Sequence, residues 1–380
     1  MTRKWSFQIV FGALTLMIAN QAFAQRDAFE GQVTEYIRQF PYQDTYNYAT
    51  TYTKGDPGRF NTWALGSEPV LVKAGKDKIV RMNNDTFYKM AFVNLSKGPV
   101  VLTSTNSAKN RFSSFQLMDD HNVNYQNVIR PNGKFTLYRG EKPKEIQGVA
   151  IEVPSELSVV IVRVEVKNMN DAKDVRAAED IFHGIAIKGP RIDEFPALDL
   201  LSGYDDAVEQ EANRRMDETF QQTPFRETVA GPDDVPEKVS YLRLAAGTKG
   251  GWGGPVTSHS SYETLFFGAN GERLDGSKGA YTVTTEEPPV DAFWSLTIYD
   301  TERGGFLHPN KEDRYHINNT TAVKSSDGTV TFLFKSSCAP SDKNCLEVPS
   351  GEFDLTARYY LPREEIRTGA WTLPKIQLVK

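Results

Sequence analysis

The segment Asn83–Asp85 is the first candidate for chemistry, because it places two amides and a carboxylate directly before an apolar stretch. Asn and Asp side chains cap nearby backbone amides and tolerate left-handed backbone, so a turn is one explanation. The same groups at the start of a buried strand could also hydrogen-bond a ligand. Both interpretations stay open from the residues alone.

Aromatic and basic side chains near other polar turns extend this candidate site, because aromatic faces cover rings while amides and guanidinium groups give directional hydrogen bonds. The predicted ligand-binding residues are Asn83, Asn84, Tyr88, Arg111, Trp252, Trp294 and Tyr299. Asp85 is the candidate catalytic acid or base, with Arg111 or Arg163 as a clamp for a substrate carboxylate. Packing in a core strand is the competing explanation for Trp294, which follows Phe293.

Histidines and acidic residues form two weak metal patterns. His308 and His316 could bind a divalent ion together with Glu312 or Asp313, and Asp119–His121 is a second polar cluster. A polar loop is the favoured explanation of both, so the sequence predicts no metal and no cofactor. It also has no G-x-S-x-G, H-E-x-x-H or phosphate-loop motif.

The two cysteines, Cys338 and Cys345, enclose a turn-rich segment. Two lone cysteines this close are expected to pair in an oxidising compartment, although a redox or metal pair is the alternative. The sequence predicts a structural disulfide.

The chain begins with a pattern typical of export. Basic residues lead into the apolar run Trp5–Ala19, and Ala22–Ala24 matches a cleavage site. We expect residues 1–24 to be a cleaved signal peptide, rather than an uncleaved anchor, and the product to be periplasmic or secreted without a further membrane span. The net charge of −5 argues against general nucleic-acid binding.

The remaining residues divide into three zones of different hydrophobic period. Residues 25–167 contain short alternating runs, best seen where Val160, Val162, Val164 and Val166 share one face, and they predict a β-sandwich. Residues 168–237 change to helical spacing, with Asp171 as a predicted N-cap, and form a helical connector and linker. Residues 238–380 return to strands and predict a jelly roll or related sandwich.

Two local expectations accompany this division. Pro41 is expected to break the amphipathic stretch around Tyr36, since proline lacks the amide that a helix interior needs. Gly247–Gly254 is expected to be a loop, either merely flexible or close to a ligand with Trp252 as a platform.

The polar segment also carries a family resemblance. Residues 81–88, 95–102 and 111–119 resemble bacterial proteins with the domain of unknown function numbered 1254, and residues 274–277, 288–300, 314–317 and 349–353 resemble its usual companion, the domain numbered 1214. The resemblance implies a mainly β chain: an immunoglobulin-like N-terminal sandwich, a small helical connector and a C-terminal jelly-roll-like sandwich. It implies no particular activity.

The sequence thus favours an exported protein that binds a small polar or carbohydrate-like ligand in a pocket between or within the β domains. The alternative is a metal-independent hydrolase or lyase that uses Asp85 and an arginine clamp, so the question of enzyme activity stays open. A third possibility is an envelope or assembly protein without a ligand. The sequence does not define an oligomeric state.

Overall fold

The architecture was taken from a computed structural model that describes residues 6–76, 79–195, 198–231 and 240–379, with side chains described from residue 24 onward. The described part contains five α-helices: α1 (Ser6–Thr53), α2 (Ala172–His183), α3 (Asp206–Gln222), α4 (Tyr241–Gly251) and α5 (Glu364–Thr368). None of the described helices is long and apolar enough to cross a membrane.

Two four-stranded sheets form the N-terminal sandwich. Its strands are β1 (Thr86–Asn94), β2 (Val100–Ser104), β3 (Ser113–Asp119), β4 (Asn124–Ile129), β5 (Gly133–Tyr138), β6 (Val149–Glu152), β7 (Leu157–Glu165) and β8 (Ile185–Lys188). One sheet has the order β1-β7-β3-β4 and the other β6-β5-β2-β8. The predicted valine face of β7, Val160 to Val166, lies in the core between them.

The C-terminal sandwich repeats this layering. Its strands are β9 (Ser260–Leu265), β10 (Tyr281–Thr285), β11 (Trp294–Asp300), β12 (Phe306–Leu307), β13 (His316–Asn318), β14 (Val330–Lys335), β15 (Cys345–Glu347), β16 (Phe353–Tyr360) and β17 (Gln377–Leu378). One sheet runs β12-β11-β16-β9, with β13 also paired to β11, and the other runs β15-β14-β10-β17. The predicted mainly β class, with two sandwiches and a small helical connector, is confirmed.

The two helices of the predicted connector, α2 and α3, pack against different parts of the protein. Helix α2 is capped by the Asp171 side chain, as predicted, and packs Phe182 into the N-terminal core. Strand β8 then pairs with β2. Helix α3 instead packs with α1 and α4 in a separate apolar cluster that contains Val33, Met216 and Ala245. The linker end predicted at residue 237 lies outside the described residues.

Pro41 does not break the first helix, and that prediction was wrong. Helix α1 continues through Pro41, because both flanking halves are held by tertiary contacts. Val33 and Ile37 pack with α3, while Tyr52 packs in the cluster that contains Phe92 of β1. These contacts outweigh the local cost of proline, which is about 3 kcal/mol in a helix interior.

The glycine-rich segment was also predicted incorrectly in part, since residues 247–251 form the end of α4. Its glycines permit close packing rather than flexibility. A Cβ on Gly247 would lie 2.4 Å from the Thr228 carbonyl oxygen, and one on Gly250 would lie 2.4 Å from the Phe220 ring. The helix can therefore approach its neighbours this closely only because both positions are glycine.

Candidate functional site

Strands β1 and β7 present one wall of a cavity at the junction of the two sandwiches. Tyr88 lies opposite Arg163 in the antiparallel register, and Met90 lies opposite Ile161. Because side chains alternate along a strand, the valines of β7 fill the sandwich core while Ile161 and Arg163 point out of it. The N-terminal domain thus offers a mixed apolar and cationic surface to its partner.

Strands β16 and β9 present the opposing wall. Arg358 pairs in register with Tyr262, and Thr356 pairs with Thr264. The alternate residues of β16, such as Leu355, lie in the C-terminal core. Arg358 therefore belongs to the strand face that points toward the N-terminal domain.

The cavity between these walls has an empty volume of about 610 Å³. That volume includes space open to solvent, and the part that the centre of a water-sized sphere can enter is about 50 Å³. Its helical side is formed by Phe220, Phe225 and residues 251–254. The other lining residues are Leu65, Ile79, Val80, Arg81, Met82, Tyr88, Met90, Ile161, Arg163, Tyr262, Thr264, Thr356 and Arg358.

Arg163 is only 4% exposed, and all of its hydrogen-bond partners are uncharged. Its Nε donates to the Tyr88 hydroxyl over 3.3 Å, one Nη donates to the Gln116 side-chain oxygen, and the other donates to the Gly253 carbonyl over 3.2 Å. A guanidinium group has five N–H donors, so these bonds leave donors free. No described carboxylate lies within ion-pair distance of Arg163.

Arg358 is 1% exposed and is likewise outside ion-pair distance of every described carboxylate. One Nη donates to Thr297, and the other donates to the Tyr299 hydroxyl over 2.7 Å. Its Nε is buried without a hydrogen-bond partner. The guanidinium lies 5.0 Å from the centre of the Tyr262 ring, whose negative face partly offsets the buried positive charge.

Arg81 is the third cation of the cavity, and it is neutralised. It forms a bidentate ion pair with Asp354, over 3.1 and 3.0 Å. Its φ of 50° is uncommon for a residue with a side chain. The Arg81 carbonyl accepts hydrogen bonds from Arg358 and Tyr299, which hold this backbone conformation in place.

The predicted polar segment lies behind this cavity and joins the domains. Asp85 is fully buried, and its carboxylate accepts hydrogen bonds from Ser295 Oγ and, over 3.3 Å, from the Tyr360 hydroxyl. The Asn83 amide donates to the same Tyr360 hydroxyl over 2.6 Å. Asn84 donates to the Val72 carbonyl, and its oxygen lies 3.0 Å from His316 Nδ1.

Two predicted binding residues, Tyr88 and Trp252, line the cavity directly. Trp252 donates to Thr45 Oγ1 over 3.4 Å and packs against Tyr48, with ring centres 4.4 Å apart and ring planes tilted by 34°. Tyr299 stands next to the cavity and contacts Arg358. Burial raises the pKa of Tyr88 and of Tyr299, so both phenols stay neutral at pH 7.

Arg111 and Trp294 are placed elsewhere. Arg111 forms an ion pair with Asp174 over 2.5 Å and donates to the Glu165 carbonyl. Trp294 lies in the C-terminal core, with its ring centre 5.9 Å from that of Phe332. The structure therefore brings Tyr88 and Trp252 together with Arg163, and it separates them from Arg111 and Trp294.

Sequence reasoning missed Arg81, Arg358 and Tyr262. A signal for Arg358 was present, because it shares a strand face with Asp354 and Thr356 while the other face is apolar. That pattern places Arg358 outside the C-terminal core, although it does not indicate that another domain covers it. Arg81 and Tyr262 carry no comparable local signal.

The possible metal ligands are engaged in local contacts. Asp119, Asp120 and His121 bring one ligand atom each within 4.8 Å of one another. Asp119 also accepts from the backbone of His121 and Val123, as in a tight turn. The second predicted set, His308 and His316 with Glu312 or Asp313, is not among the described groups whose ligand atoms come within 4.8 Å of one another. His308 lies 3.7 Å from Asp300, and Asp313 pairs with Lys73.

The cysteine prediction is confirmed, because Cys338 and Cys345 form a disulfide. The bond closes the segment between β14 and β15, which pair in parallel. It lies in the outer sheet of the C-terminal sandwich and takes no part in the cavity between the two sandwiches, which we call the junction cavity.

These features define a class: a protein of two β-sandwiches whose facing sheets enclose a cationic and aromatic cavity. Residues 64–189 match the family described as Protein of unknown function (DUF1254), and residues 259–364 match Protein of unknown function (DUF1214). The chain therefore belongs to the proteins that carry a DUF1254 domain followed by a DUF1214 domain, which confirms the resemblance seen in the sequence.

Two solved structures were matched to this chain. The VPA0106 protein from Vibrio parahaemolyticus is 18% identical with a TM-score of 0.70, and the match covers 93% of this chain and 100% of that one. A putative uncharacterized protein from Burkholderia cenocepacia is 13% identical with a TM-score of 0.48, over 96% and 98% of the two chains. The first similarity shows the fold alone. The search of curated proteins gave no match.

Proposed function

We propose that the protein binds a small organic acid with an aromatic or otherwise apolar body in the junction cavity. The observation that carries this proposal is the pair Arg163 and Arg358, two buried guanidinium groups from different domains that line one cavity without a carboxylate partner among the described residues. An unpaired buried charge costs several kcal/mol, and a bound anion would remove much of that cost.

The other residues that line the cavity indicate which uncharged part of a ligand would fit beside the two arginines. Tyr88, Phe225, Trp252 and Tyr262 supply ring surface, and Met90 supplies a flexible apolar contact. Such walls favour a planar apolar group over a sugar, whose hydroxyls need many polar partners. We therefore propose a small organic acid with an apolar body in place of the small polar or carbohydrate-like ligand expected from the sequence.

Asp85 supports a structural role better than a catalytic one. Its side chain is fully buried, it is not among the cavity-lining residues, and Ser295 and Tyr360 donate to its oxygens. A general acid or base has to reach the substrate, directly or through one water. We therefore favour binding over the hydrolase or lyase alternative.

We also propose export to the periplasm or medium after cleavage near residue 24. The disulfide supports this proposal, because disulfides persist in oxidising compartments. Helix α1 runs from Ser6 through the predicted cleavage point, so cleavage would leave a helix that starts near Gln25. Mass spectrometry of the protein recovered from the periplasm would show whether residues 1–24 are removed.

A thermal-shift comparison of acids with their neutral amides tests the binding proposal. Phenylacetate and benzoate are expected to raise the unfolding temperature in a concentration-dependent way, since a ligand that binds only the folded state stabilises it. Phenylacetamide and benzamide have nearly the same shape without the charge and should have little effect. Equal shifts with acids and amides would contradict the assignment of the two arginines.

A further inference from the structure

A second recess lies where the end of β7 meets β13, apart from the junction cavity. It consists of two adjoining cavities, which we call the junction cleft, with empty volumes of about 1270 and 440 Å³ that include space open to solvent. Both cavities are lined by Lys167 and Thr320, so they share a wall. The cleft has no lining residue in common with the junction cavity.

The cleft is rich in positive charge although the whole chain is acidic. Lys109, Arg130, Lys167 and Arg314 line it. Three carboxylates line it as well, but Asp291 is engaged by Arg363 over 2.8 Å, and Glu165 is buried and accepts from the Phe112 amide. Glu312 is exposed at the rim. The local balance therefore favours an anion.

Three of these cations are half-buried and have no ion-pair partner among the described residues. Lys167 Nζ donates to the Asn110 carbonyl over 2.7 Å, and Arg130 Nε donates to the Arg111 carbonyl over 3.4 Å. No hydrogen bond from the Arg314 side chain is present in the described part. Hydrogen bonds from these cations to a bound anion would be stronger than those to water or carbonyl groups. A bound anion would therefore replace the weaker acceptors.

The wall of the cleft also offers an acceptor, and it is built on the polar segment of the first domain. His316 lines the cleft, and its Nδ1 lies 3.0 Å from the Asn84 side-chain oxygen. Asn84 uses its amide nitrogen to donate to Val72, so its oxygen must accept from Nδ1–H. Burial lowers the pKa of His316, which leaves a neutral ring whose Nε2 is an acceptor.

We infer that the junction cleft is a second binding site, for a small anion that carries two or more negative charges and at least one hydroxyl group. Lys167, Arg130 and Arg314 would bind the charges, while His316 and Thr320 would bind the hydroxyl. Such a ligand is a hydroxylated polycarboxylate or a sugar phosphate, and it differs from the apolar acid proposed for the junction cavity.

Isothermal titration at low ionic strength with citrate and with glucose 6-phosphate tests this inference, with glucose as the neutral comparison. We expect at least one anion to bind the wild type and glucose not to bind. The variants Lys167→Gln and Arg314→Gln should each weaken binding by about tenfold or more, as expected for a lost charged hydrogen bond. Lys142→Gln removes an exposed cation that does not line the cleft and should leave binding unchanged.

Binding of phenylacetate to the same variants separates folding and the junction cavity from the cleft. A folded variant should keep any phenylacetate binding of the wild type while it loses the anion. Failure of both anions to bind the wild type, unchanged binding by the Lys167→Gln and Arg314→Gln double variant, or displacement of the anion by phenylacetate would each overturn the inference. Glucose 6-phosphate binding without citrate binding identifies phosphate as the recognised group, and the reverse identifies carboxylate.

Discussion

The carboxylate of Asp85 accepts a hydrogen bond from the hydroxyl of Ser295, which joins the segment before β1 to the central strand β11 of the other sandwich. Both side chains are almost fully buried. Tyr360 adds a second donor to Asp85 and also accepts from Asn83. The polar segment that stands out in the sequence is therefore an inter-domain joint beside the cavity.

A double-mutant cycle on Asp85→Asn and Ser295→Ala measures the strength of this joint. Each single variant should lower the free energy of unfolding by about 1–3 kcal/mol, because a buried polar group loses its partner. The second substitution should cost much less in the background of the first, since the two groups act as a pair. Urea unfolding provides the measurement, and the exposed Glu286→Gln is the control. Strictly additive effects would show that the two side chains are not coupled.

Glycines 250 and 31 form a matched pair of helix positions. In Gly250→Ala the new methyl group would lie 2.4 Å from the Phe220 ring, so that ring or helix α3 must shift. We expect the unfolding free energy to fall by about 1–3 kcal/mol, as for overpacked cores. Gly31→Ala meets no atom within 4 Å and should stabilise the protein by up to about 1 kcal/mol. Thermal unfolding compares the two. Equal stability of both variants would disprove the packing explanation for the glycine-rich segment.

Asp44 in α1 gives a pH-dependent prediction. Burial raises its pKa to about 7 in the folded protein, whereas the unfolded value is about 4. The unfolded chain therefore loses this proton first, and the group reduces stability increasingly from about pH 4 to pH 7 and constantly above. Asp44→Asn should raise the unfolding free energy by about 1–2 kcal/mol at pH 8 and leave it nearly unchanged at pH 4.

Denaturant unfolding at both pH values checks this prediction, with the exposed Glu141→Gln as control. An equal effect of Asp44→Asn at pH 4 and pH 8 would mean that the Asp44 charge is not the cause.

The sequence predicts the sandwiches well because alternation is a local property. The valines of β7 and the two faces of β16 follow directly from period two, and Asp171 is recognisable as a helix cap. The course of α1 through Pro41 depends on contacts with α3 and with β1, which lie far away in the sequence. Tertiary packing of this kind overrides local propensity.

The site is less predictable for the same reason. Tyr88 and Trp252 could be proposed as ring surfaces, but their meeting with Arg358 requires knowledge of how two sheets face each other. Trp294 and Arg358 lie on neighbouring strands and differ only in which side of the sheet they occupy. That side decides between the C-terminal core and the junction cavity.

Calorimetric titration with phenylacetate and phenylacetamide tests the role of the two buried arginines most directly. The wild type should bind the acid at least about tenfold more tightly than the amide, because charged hydrogen bonds contribute about 1.5–3 kcal/mol. Arg163→Met and Arg358→Met should each remove this preference, whereas Arg367→Met, at an exposed position, should retain it. Equal affinity of the wild type for acid and amide, or a preference that survives in both arginine variants, would contradict the proposed anion site.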